Sequence, residues 1–310
     1  MRTLTVIAPV YNEEEVIADF YRELRKEVDT LSGYTTTLLF VVGRGSDRTL
    51  PILKELAATD TKLQVLYLSA RFGHQMQLLA GIDHADADAV IMMDSDLQHP
   101  PSVLKELIAE YEKGNDVVYT VRGTPPDQSF YRKWCSDIFY WFLNKISDVR
   151  IHSNAADFRL ISRRVADILR KEIRERNLFL RGIIPWIGFN QAAVRFNGRP
   201  RGAGTSKYSL SRLITFGLSG VVSFSRKPLR VTILAGLIFA LFGFAYALFT
   251  VVQFLFLKQL PTGYATLVVL LSVFGGLQLL FLGIIGEYIG AIFDEVKGRP
   301  HYIVDEKINL

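Results

Sequence analysis

The stretch that decides the fold runs from Ala89 to Pro101 and reads AVIMMDSDLQHPP. It begins with apolar residues, as in a strand buried on both faces of a parallel sheet, and two carboxylates, Asp94 and Asp96, follow. We predict that these acids close the strand, and because residues i and i+2 of a strand point to the same side, both carboxylates face one site. Such oxygen ligands suit Mg²⁺ or Mn²⁺ and leave coordination positions for substrate phosphates, and Gln98 can add a further oxygen. The alternative is a solvated turn that caps the next helix.

The N-terminal part of the chain alternates between strand and helix patterns. Asn12 and Glu15 have the spacing of a capping box, which predicts a helix from there to about Leu31. Strands that alternate with helices indicate a doubly wound α/β fold, with a mostly parallel sheet and helices on both faces. Ligands of such sheets bind beyond the carboxyl ends of the strands. Apolar runs predict five strands, at 4–10, 36–42, 63–69, 89–96 and 116–122.

Composition excludes several classes of protein. Of the 310 residues 49% are hydrophobic and 22% are charged, so the chain is not disordered. A single cysteine, Cys135, excludes a disulfide framework and a zinc site built from cysteines, and the 5 histidines show no ligand spacing. Residues 1–119 carry 11 basic and 19 acidic side chains, whereas residues 120–230 carry 21 and 7. A basic block of this kind can bind nucleic acid, a membrane surface or a phosphate.

Two long uncharged runs follow the basic block. There are 27 residues without charge between Arg230 and Lys258, and 28 between Lys258 and Glu287. Roughly 20 apolar residues cross a bilayer, so we predict two transmembrane helices over 231–289, with buried core helices as the alternative. Basic residues flank both outer ends, so the positive-inside rule places the N-terminal part and a tail over 290–310 in the cytosol, below an inner (plasma) membrane crossed more than once. The basic block adjoins this membrane, which argues against a nucleic-acid partner.

Residues 124–230 lie between the predicted sheet and the predicted spans. The segment 130–146 holds 7 aromatic residues among 17, and 206–224 has one apolar helical face. We predict that both form interfacial amphipathic helices at the membrane surface; for 130–146 the alternative is a core helix packed on the sheet. A hairpin of two spans buries little surface in lipid by itself, which is compatible with a homo-oligomer.

Six short motifs are spread along the chain: APVYNEEE at 8–15, RFGHQ at 71–75, AGIDHA at 80–85, DSDLQHPP at 94–101, ADFRLISR at 156–163 and TSKYSL at 205–210. As a set they resemble the family 2 glycosyltransferases of the GT-A fold, and within these the polyprenyl-phosphate glycosyltransferases. The resemblance covers essentially the whole chain, including the two predicted spans. It implies a core over 1–123 that binds a nucleotide sugar, and an acceptor-side and juxtamembrane segment over 124–230.

The resemblance also implies roles for individual residues. A metal would be held by Asp94, Asp96 and Gln98. Contacts with the nucleotide sugar are implied for Pro9, Tyr11, Glu13, Arg44, Arg71, Asp94, Ser95 and Gln98. The acceptor phosphate would be held by Arg122, Arg132, Arg201, Ser206 and Lys207, since arginine forks and lysine ammonium groups are what a phosphate needs. Asp157 and Asp96 are the candidate catalytic residues.

Asp157 belongs to the DFRL motif, whose acid lies near the acceptor in related enzymes and is a candidate catalytic base. A phosphate monoester has a second pKa of about 6, however, so at neutral pH it is already largely dianionic. It needs positioning more than deprotonation. Two roles for Asp157 therefore stay open: a base, or an anion that orients Arg159 or another phosphate ligand.

The chain departs from the related enzymes at the end of the second predicted strand. They carry a V-D-D-G-S-type motif whose acid reads the base of the nucleotide, whereas this chain has VVGRGSD, with Gly43 and Arg44 in place of the acids and Asp47 later. Arginine has no hydrogen-bond acceptor, so base recognition shifts to backbone groups or the affinity for the donor falls. The identity of the nucleotide and the sugar stays open on this ground.

These features predict an inverting glycosyltransferase that moves a hexose, in the first place glucose from UDP-glucose, to undecaprenyl or another polyprenyl phosphate, with Mg²⁺ or Mn²⁺ as cofactor. One alternative is the same reaction with GDP-mannose or a UDP-4-amino-arabinose-type donor. Another is a degenerate homologue that acts as a membrane scaffold. A processive polysaccharide synthase would need a Q-x-x-R-W motif and more than two spans, and this sequence has neither.

Overall fold

The computed structural model describes residues 1–123, 155–197, 227–257 and 263–310. Several predictions fall outside these ranges, namely the interfacial helices over 130–146 and 206–224 and the phosphate contacts of Arg132, Arg201, Ser206 and Lys207. The described strands form one eight-stranded sheet. They are β1 (Arg2–Val10), β2 (Tyr34–Val42), β3 (Leu63–Leu68), β4 (Ala89–Met92), β5 (Val117–Arg122), β6 (Ala155–Ser162), β7 (Gln191–Phe196) and β8 (Val304–Ile308).

The centre of the sheet has the predicted parallel arrangement. The strand order is β7-β5-β6-β4-β1-β2-β3-β8, and β4, β1, β2 and β3 are parallel to one another. β6 runs antiparallel between β4 and β5, so that Met92 at the end of β4 pairs with Arg159. The start of β6 therefore lies beside the carboxyl end of β4.

Helices cover both faces of the sheet, as predicted. On one face of β1, Val6 and Ala8 lie in the main core together with Phe20. On the opposite face, Ile7 packs so closely on Gly81 that a Cβ added to this glycine would overlap it. The helices are α1 (Ile17–Val28), α2 (Thr49–Thr59), α3 (His74–His84), α4 (Leu104–Glu112, preceded by a 3₁₀ turn at Pro101–Val103), α5 (Arg163–Lys171) and α6 (Leu180–Ile187).

The first helix begins later than the predicted capping box. α1 starts at Ile17, and Asn12 has a φ of 53°, in the left-handed region that asparagine tolerates. The side-chain oxygen of Asn12 accepts a hydrogen bond from the backbone N–H of Ser46, at 3.1 Å. The loop after β1 is thus joined to the loop after β2, and the capping-box prediction is wrong.

β4 is shorter than predicted. It ends at Met92, so Asp94 and Asp96 lie in the loop that follows it and strand alternation does not align their carboxylates. Leu97 in the same loop has a φ of 62°, which is unusual for a bulky side chain. The Oδ1 atom of Asp96 accepts a hydrogen bond from the backbone N–H of Gln98, at 3.1 Å, so this acid shapes the turn itself.

Two long apolar helices, α7 (Lys227–Leu257) and α8 (Tyr264–Val296), form a second compact unit. They contain the segments 229–253 and 269–296, each long and apolar enough to cross a membrane. Their apolar side chains are exposed rather than packed in a protein core, which disfavours the alternative of buried core helices. The second helix continues past Glu287, where the charge-free run ends.

The sheet domain is larger than the predicted range 1–123, and the predicted tail over 290–310 is wrong. The segment 155–197 adds β6, α5, α6 and β7 to the same compact unit, and residues 299–310 return to it as well. Five residues near the C-terminus form β8, which pairs antiparallel with β3. Their sequence, VDEKI, is mostly charged, as is typical of an exposed edge strand, and for that reason it resembles a solvated tail.

Candidate active site

The loops that follow β1, β2, β3 and β4 leave the sheet at the same edge, because these strands are parallel. The start of β6 lies beside them. Ligands of open α/β sheets bind at this edge. The polar residues predicted from the motifs are therefore found together here, with two histidines and one arginine that were not predicted.

The residues predicted to contact the nucleotide join three of these loops. The guanidinium of Arg71 lies over the ring of Tyr11, 4.1 Å from its centroid. Arg44 donates a hydrogen bond to the carbonyl oxygen of Ser69, at 3.3 Å. These contacts leave an aromatic ring and two cations beside one another at the ends of β1, β2 and β3.

Pro9 and Ser95 connect two of the elements that form the site. The buried hydroxyl of Ser95 donates to the carbonyl oxygen of Pro9, at 3.1 Å, and so fixes the loop after β4 to β1. This contact uses the Ser95 hydroxyl within the protein. The Ser95 side chain and the Pro9 carbonyl thus support the loop geometry, whereas the sequence predicted contacts with the nucleotide sugar.

Asp47 is not placed to read a base. Its carboxylate accepts hydrogen bonds from the backbone N–H of Glu14, at 3.0 Å, and from the hydroxyl of Thr49, at 2.7 Å. The backbone N–H of Glu13 donates to the same hydroxyl, at 2.9 Å. The acid that follows Gly43 and Arg44 therefore fastens the loop after β1 to the start of α2.

A buried glutamine explains the glycine at position 43. The side-chain amide of Gln77 donates to the carbonyl oxygens of Val10, at 2.8 Å, and Val41, at 2.9 Å, near the ends of two strands. A Cβ added to Gly43 would lie 3.1 Å from the Nε2 atom of Gln77 and 3.7 Å from the ring of Tyr11. A larger side chain at this position would compete with Gln77 for the same space.

Gln98 and Arg122 bind one another. The side-chain oxygen of Gln98 accepts a hydrogen bond from Arg122 Nη1, at 3.0 Å. Gln98, the predicted metal ligand, is thus hydrogen-bonded to Arg122, the predicted phosphate ligand. The positive charge of Arg122 would repel a cation at Gln98. In this conformation Gln98 orients Arg122, and the cation-binding capacity of the loop rests on Asp94 and Asp96.

These two carboxylates fit a divalent cation as a partial ligand set. Within the ranges that the structure describes, no three His, Cys, Asp or Glu side chains are grouped to enclose a cation. Asp94 and Asp96 are both partly exposed and follow the same strand. Magnesium commonly takes one or two protein carboxylates and completes its shell with waters and substrate phosphates. The donor set therefore fits a cation that arrives with a diphosphate.

His99 supports the loop as a neutral side chain. Its Nδ1 atom accepts a hydrogen bond from the backbone N–H of Asp94, at 3.1 Å, so the ring proton lies on Nε2. Burial lowers the pKa of His99, which agrees with a neutral ring. For the same reason the approach of Nδ1 to the Asp94 carboxylate, at 3.6 Å, is not an ion pair.

His74 lies between two carboxylates. Its Nε2 atom is 3.3 Å from Asp157 Oδ2 and 3.5 Å from Asp94 Oδ1. Loss of hydration alone would lower the pKa of His74, but the hydrogen bond with Asp157 and the two negative charges outweigh it and raise the pKa above its ordinary value. The proton on Nε2 therefore links the loop after β4 to β6.

Asp157 is buried among cations. Arg181 Nε and Nη2 each donate to one of its carboxylate oxygens, at 2.8 Å. The Nη2 atom of the buried Arg159 is 3.5 Å from Oδ1. Burial alone would raise the pKa of Asp157, but the His74 hydrogen bond and the two guanidinium charges hold it well below its usual range. Burial lowers the pKa of Arg159 to about 10, so this side chain is still charged at neutral pH.

Sequence reasoning missed four residues of this site: His74, Gln77, His99 and Arg181. Two of them were visible in quoted motifs, since RFGHQ contains His74 and DSDLQHPP contains His99. Both were set aside because the histidines lack ligand spacing. In the structure they act as hydrogen-bonding groups, for which spacing along the chain is no guide.

Comparison with known proteins gives two family models and relatives over nearly the full length. "Glycosyl transferase family 2" matches residues 5–169, and "GtrB C-terminal hairpin" matches residues 227–292. The uncharacterized glycosyltransferase YkcC of Bacillus subtilis is 38% identical over 99% of this chain and 94% of its own length. The SfII prophage-derived bactoprenol glucosyl transferase of Shigella flexneri is 38% identical over 97% of each chain.

Among solved structures, mannosyl-3-phosphoglycerate synthase from Rubrobacter xylanophilus is similar in fold. The TM-score is 0.51 at 13% identity, and the match covers 71% of this chain and 72% of that one. At this identity the likeness concerns the fold alone. It agrees with the mostly parallel GT-A sheet predicted from the sequence.

Proposed function

The chain belongs to glycosyl transferase family 2, and from this premise we propose that it transfers a hexose from a nucleotide sugar to a polyprenyl phosphate at a membrane surface. The observation that carries the proposal is the likeness to the bactoprenol glucosyl transferase of Shigella flexneri, which runs through the sheet domain and both long helices. Because this relative is named a glucosyl transferase, the hexose that we propose is glucose, with UDP-glucose as its donor. The acceptor that we propose is undecaprenyl phosphate.

The order of the strands gives a layout for the two substrates. The nucleotide would lie over the ends of β1 to β3, beside Tyr11, Arg44 and Arg71. The diphosphate would lie at the loop after β4, and the acceptor on the far side of that loop, where β6 starts near Asp157 and β5 ends with Arg122. Each substrate thus approaches the loop after β4 from its own side.

The reaction that we propose is a single in-line displacement. An oxygen of the acceptor phosphate attacks the anomeric carbon of the hexose on the face opposite the diphosphate. One carbon–oxygen bond forms as the other breaks, and the electron pair leaves with the nucleoside diphosphate, so the anomeric centre inverts. Asp94 and Asp96 would hold a divalent cation, Mg²⁺ or Mn²⁺, which stabilises the charge on the departing diphosphate when bound.

The two apolar helices give the site access to a lipid. A polyprenyl phosphate keeps its phosphate at the membrane surface, so an enzyme that uses it must be held there. Basic residues flank the hairpin at Lys227, Arg230, Lys297 and Arg299, and such residues favour the cytosolic side and anionic headgroups. We therefore propose that the sheet domain faces the cytosol.

Transfer of label from a panel of donors to lipid tests the proposal. The purified, detergent-solubilised protein is incubated with undecaprenyl phosphate, Mg²⁺ and radiolabelled UDP-glucose, UDP-galactose, UDP-GlcNAc or GDP-mannose. We expect label in the lipid phase from UDP-glucose and none with Asp96→Asn as the matched inactive variant.

The other outcomes separate the alternatives. Label from a different donor would support the proposed reaction with another sugar. A different donor is a specific alternative because this chain has no acid at positions 43 and 44. No label from any of these four donors, in folded protein that binds lipid, would leave two alternatives, a UDP-4-amino-arabinose-type donor and a membrane scaffold. Transfer from the 4-amino sugar donor would favour the first, and failure to bind or turn over any donor would favour the second.

A further inference from the structure

We propose that Arg181 binds the phosphate of the acceptor and that Asp157 is the positioning residue that aims it. This inference rests on the proposed function and adds a residue to the acceptor site. It also decides between the two roles that the sequence leaves open for Asp157.

The geometry of the pair gives the arginine a fixed direction. Arg181 Nε and Nη2 donate to the two carboxylate oxygens of Asp157, both at 2.8 Å, which is the planar bidentate arrangement. The side chain of Asp157 is 6% exposed, whereas that of Arg181 is 32% exposed. The guanidinium is therefore the member of the pair that an incoming ligand meets.

The charge of Arg181 suits an anionic ligand. Two guanidinium groups, those of Arg159 and Arg181, contact the carboxylate of Asp157. Arg159 is buried and also donates to the carbonyl oxygen of Leu180, at 3.4 Å. A phosphate dianion would accept charge-assisted hydrogen bonds from the partly exposed Arg181.

Asp157 is poorly suited to accept a proton. Its oxygens accept hydrogen bonds from Arg181, and Arg159 and His74 also lie within 3.5 Å. The pKa of its carboxyl is held well below the usual range, so protonation at neutral pH is unfavourable. The acceptor, largely dianionic already, supplies no proton that must be removed.

The position of Arg181 in the fold points to the acceptor rather than the nucleotide. Its partner Asp157 is on β6, next to β5, and Arg122 ends β5. The aromatic and basic residues that join β1 to β3 lie on the other side of the loop that carries Asp94. Arg181 and Arg122 are thus both on the side that we assign to the acceptor.

A double-mutant cycle tests the inference. We would measure kcat and the KM values for undecaprenyl phosphate and for the donor in Arg181→Ala, Asp157→Asn and the double variant. The matched control is Arg174→Lys, which alters another bidentate pair, with Asp83 at 2.8 and 2.9 Å, outside the site. Thermal unfolding of each variant shows whether it is folded.

We expect Arg181→Ala to raise the acceptor KM by about tenfold to a hundredfold, the loss of one charge-assisted hydrogen-bonding group. The donor KM should change less than about twofold, and the double variant should be no worse than the worse single variant, because Asp157 acts through Arg181. Arg181→Lys should recover part of the loss, and added guanidinium should partly rescue Arg181→Ala.

Other outcomes overturn the inference. An unchanged acceptor KM in Arg181→Ala, or independent multiplicative losses in the double variant, would mean that Asp157 acts on its own. An equal loss in Arg174→Lys would point to a general effect on packing. If Arg181→Ala does not fold because the buried Asp157 loses its bidentate partner, the lysine variant and the double variant still provide the comparison. Absence of transfer by the wild-type chain would instead contradict the proposed function.

Discussion

The backbone N–H of Asp94 donates a hydrogen bond to the Nδ1 atom of His99, at 3.1 Å. The ring of His99 is stacked on Phe158, with centroids 5.1 Å apart, and meets Phe196 edge-on at 5.5 Å. The short loop from Asp94 to His99 therefore connects a carboxylate at the candidate site to aromatic side chains in the core. The position of Asp94 depends on the protonation state of a buried ring.

We expect acid to destabilise the protein through His99. Burial lowers the pKa of His99 in the folded state below its unfolded value of about 6.5. The unfolded chain therefore binds the proton first as the pH falls, and the stabilising contribution, complete above about pH 6.5, is lost below it. Between about pH 7.5 and pH 5, the melting temperature should fall further in the wild type than in His99→Gln, whose amide does not titrate.

His84→Gln serves as the control, because His84 lies at the end of α3 and outside this loop. It should keep the pH dependence of the wild type. An identical pH dependence in wild type and His99→Gln would contradict the neutral, buried state of His99.

A second prediction concerns the missing acid at position 43. Gly43→Asp should not tighten the binding of UDP, although related enzymes carry an acid there. The new side chain would displace Gln77, whose amide donates hydrogen bonds to the carbonyl oxygens of Val10 and Val41. The carbonyl oxygen of Val10 also accepts from the backbone N–H of Gly43, at 3.0 Å, so it keeps one partner. Each of the two lost hydrogen bonds contributes about 0.5–1.5 kcal/mol, so a lower melting temperature is expected.

Calorimetric titration with UDP and thermal unfolding measure the two effects. Gly43→Ala adds the Cβ alone and should cause a smaller loss of stability, since the approach to Gln77 Nε2 would be 3.1 Å. Tighter UDP binding by Gly43→Asp at an unchanged melting temperature would show that the site accommodates the acid.

A third prediction concerns the metal. Asp96→Asn should lower kcat by at least about a hundredfold while the protein remains folded, because an amide is a much weaker ligand for a hard cation than a carboxylate. Excess EDTA should abolish transfer by the wild type, and Mg²⁺ should restore it. The matched variant is Asp86→Asn, an exposed acid paired with Arg163 outside the site. Full activity of Asp96→Asn, or activity in excess EDTA, would exclude this metal site.

The parallel core could be predicted from the sequence because each strand is an apolar run between clear breaks. The strands and helices from Arg2 to Arg122 follow the predicted order. The local sequence pattern predicted element ends less reliably where contacts with distant parts of the chain determine the conformation. Asn12 has the spacing of a helix cap but bonds to the loop of Ser46, and Asp94 looks like the end of a strand that stops at Met92.

The candidate site was predicted in part for a related physical reason. Motif residues such as Tyr11 and Asp94 were found because the carboxyl ends of parallel strands meet. Arg181 was missed because its partner Asp157 is 24 positions away, and nothing in either local sequence indicates the pairing. The edge strand β8 was missed since its charged sequence has no apolar alternation.

The last prediction concerns the return of the chain to the sheet domain after α8. The side-chain amide of Asn309 donates to three carbonyl oxygens, those of Ala57 and Leu63 at 2.9 Å and that of Asp60 at 3.4 Å. Asn309→Ala removes these bonds and places alanine at a φ of 57°, where it is strained. We expect a loss of about 2 kcal/mol and faster proteolytic release of a C-terminal tag, as β8 separates from β3.

Lys54→Ala provides the comparison, because Lys54 on α2 contacts Glu306 on β8. Lys54 and Glu306 form an ion pair at 2.7 Å, but both side chains are 44% exposed, so water screens the interaction. Its removal should cost less than about 1 kcal/mol and leave the rate of tag release nearly unchanged. If Lys54→Ala frees the tag as fast as Asn309→Ala does, the ion pair rather than the Asn309 amide holds β8. If neither variant changes the rate, backbone pairing with β3 suffices.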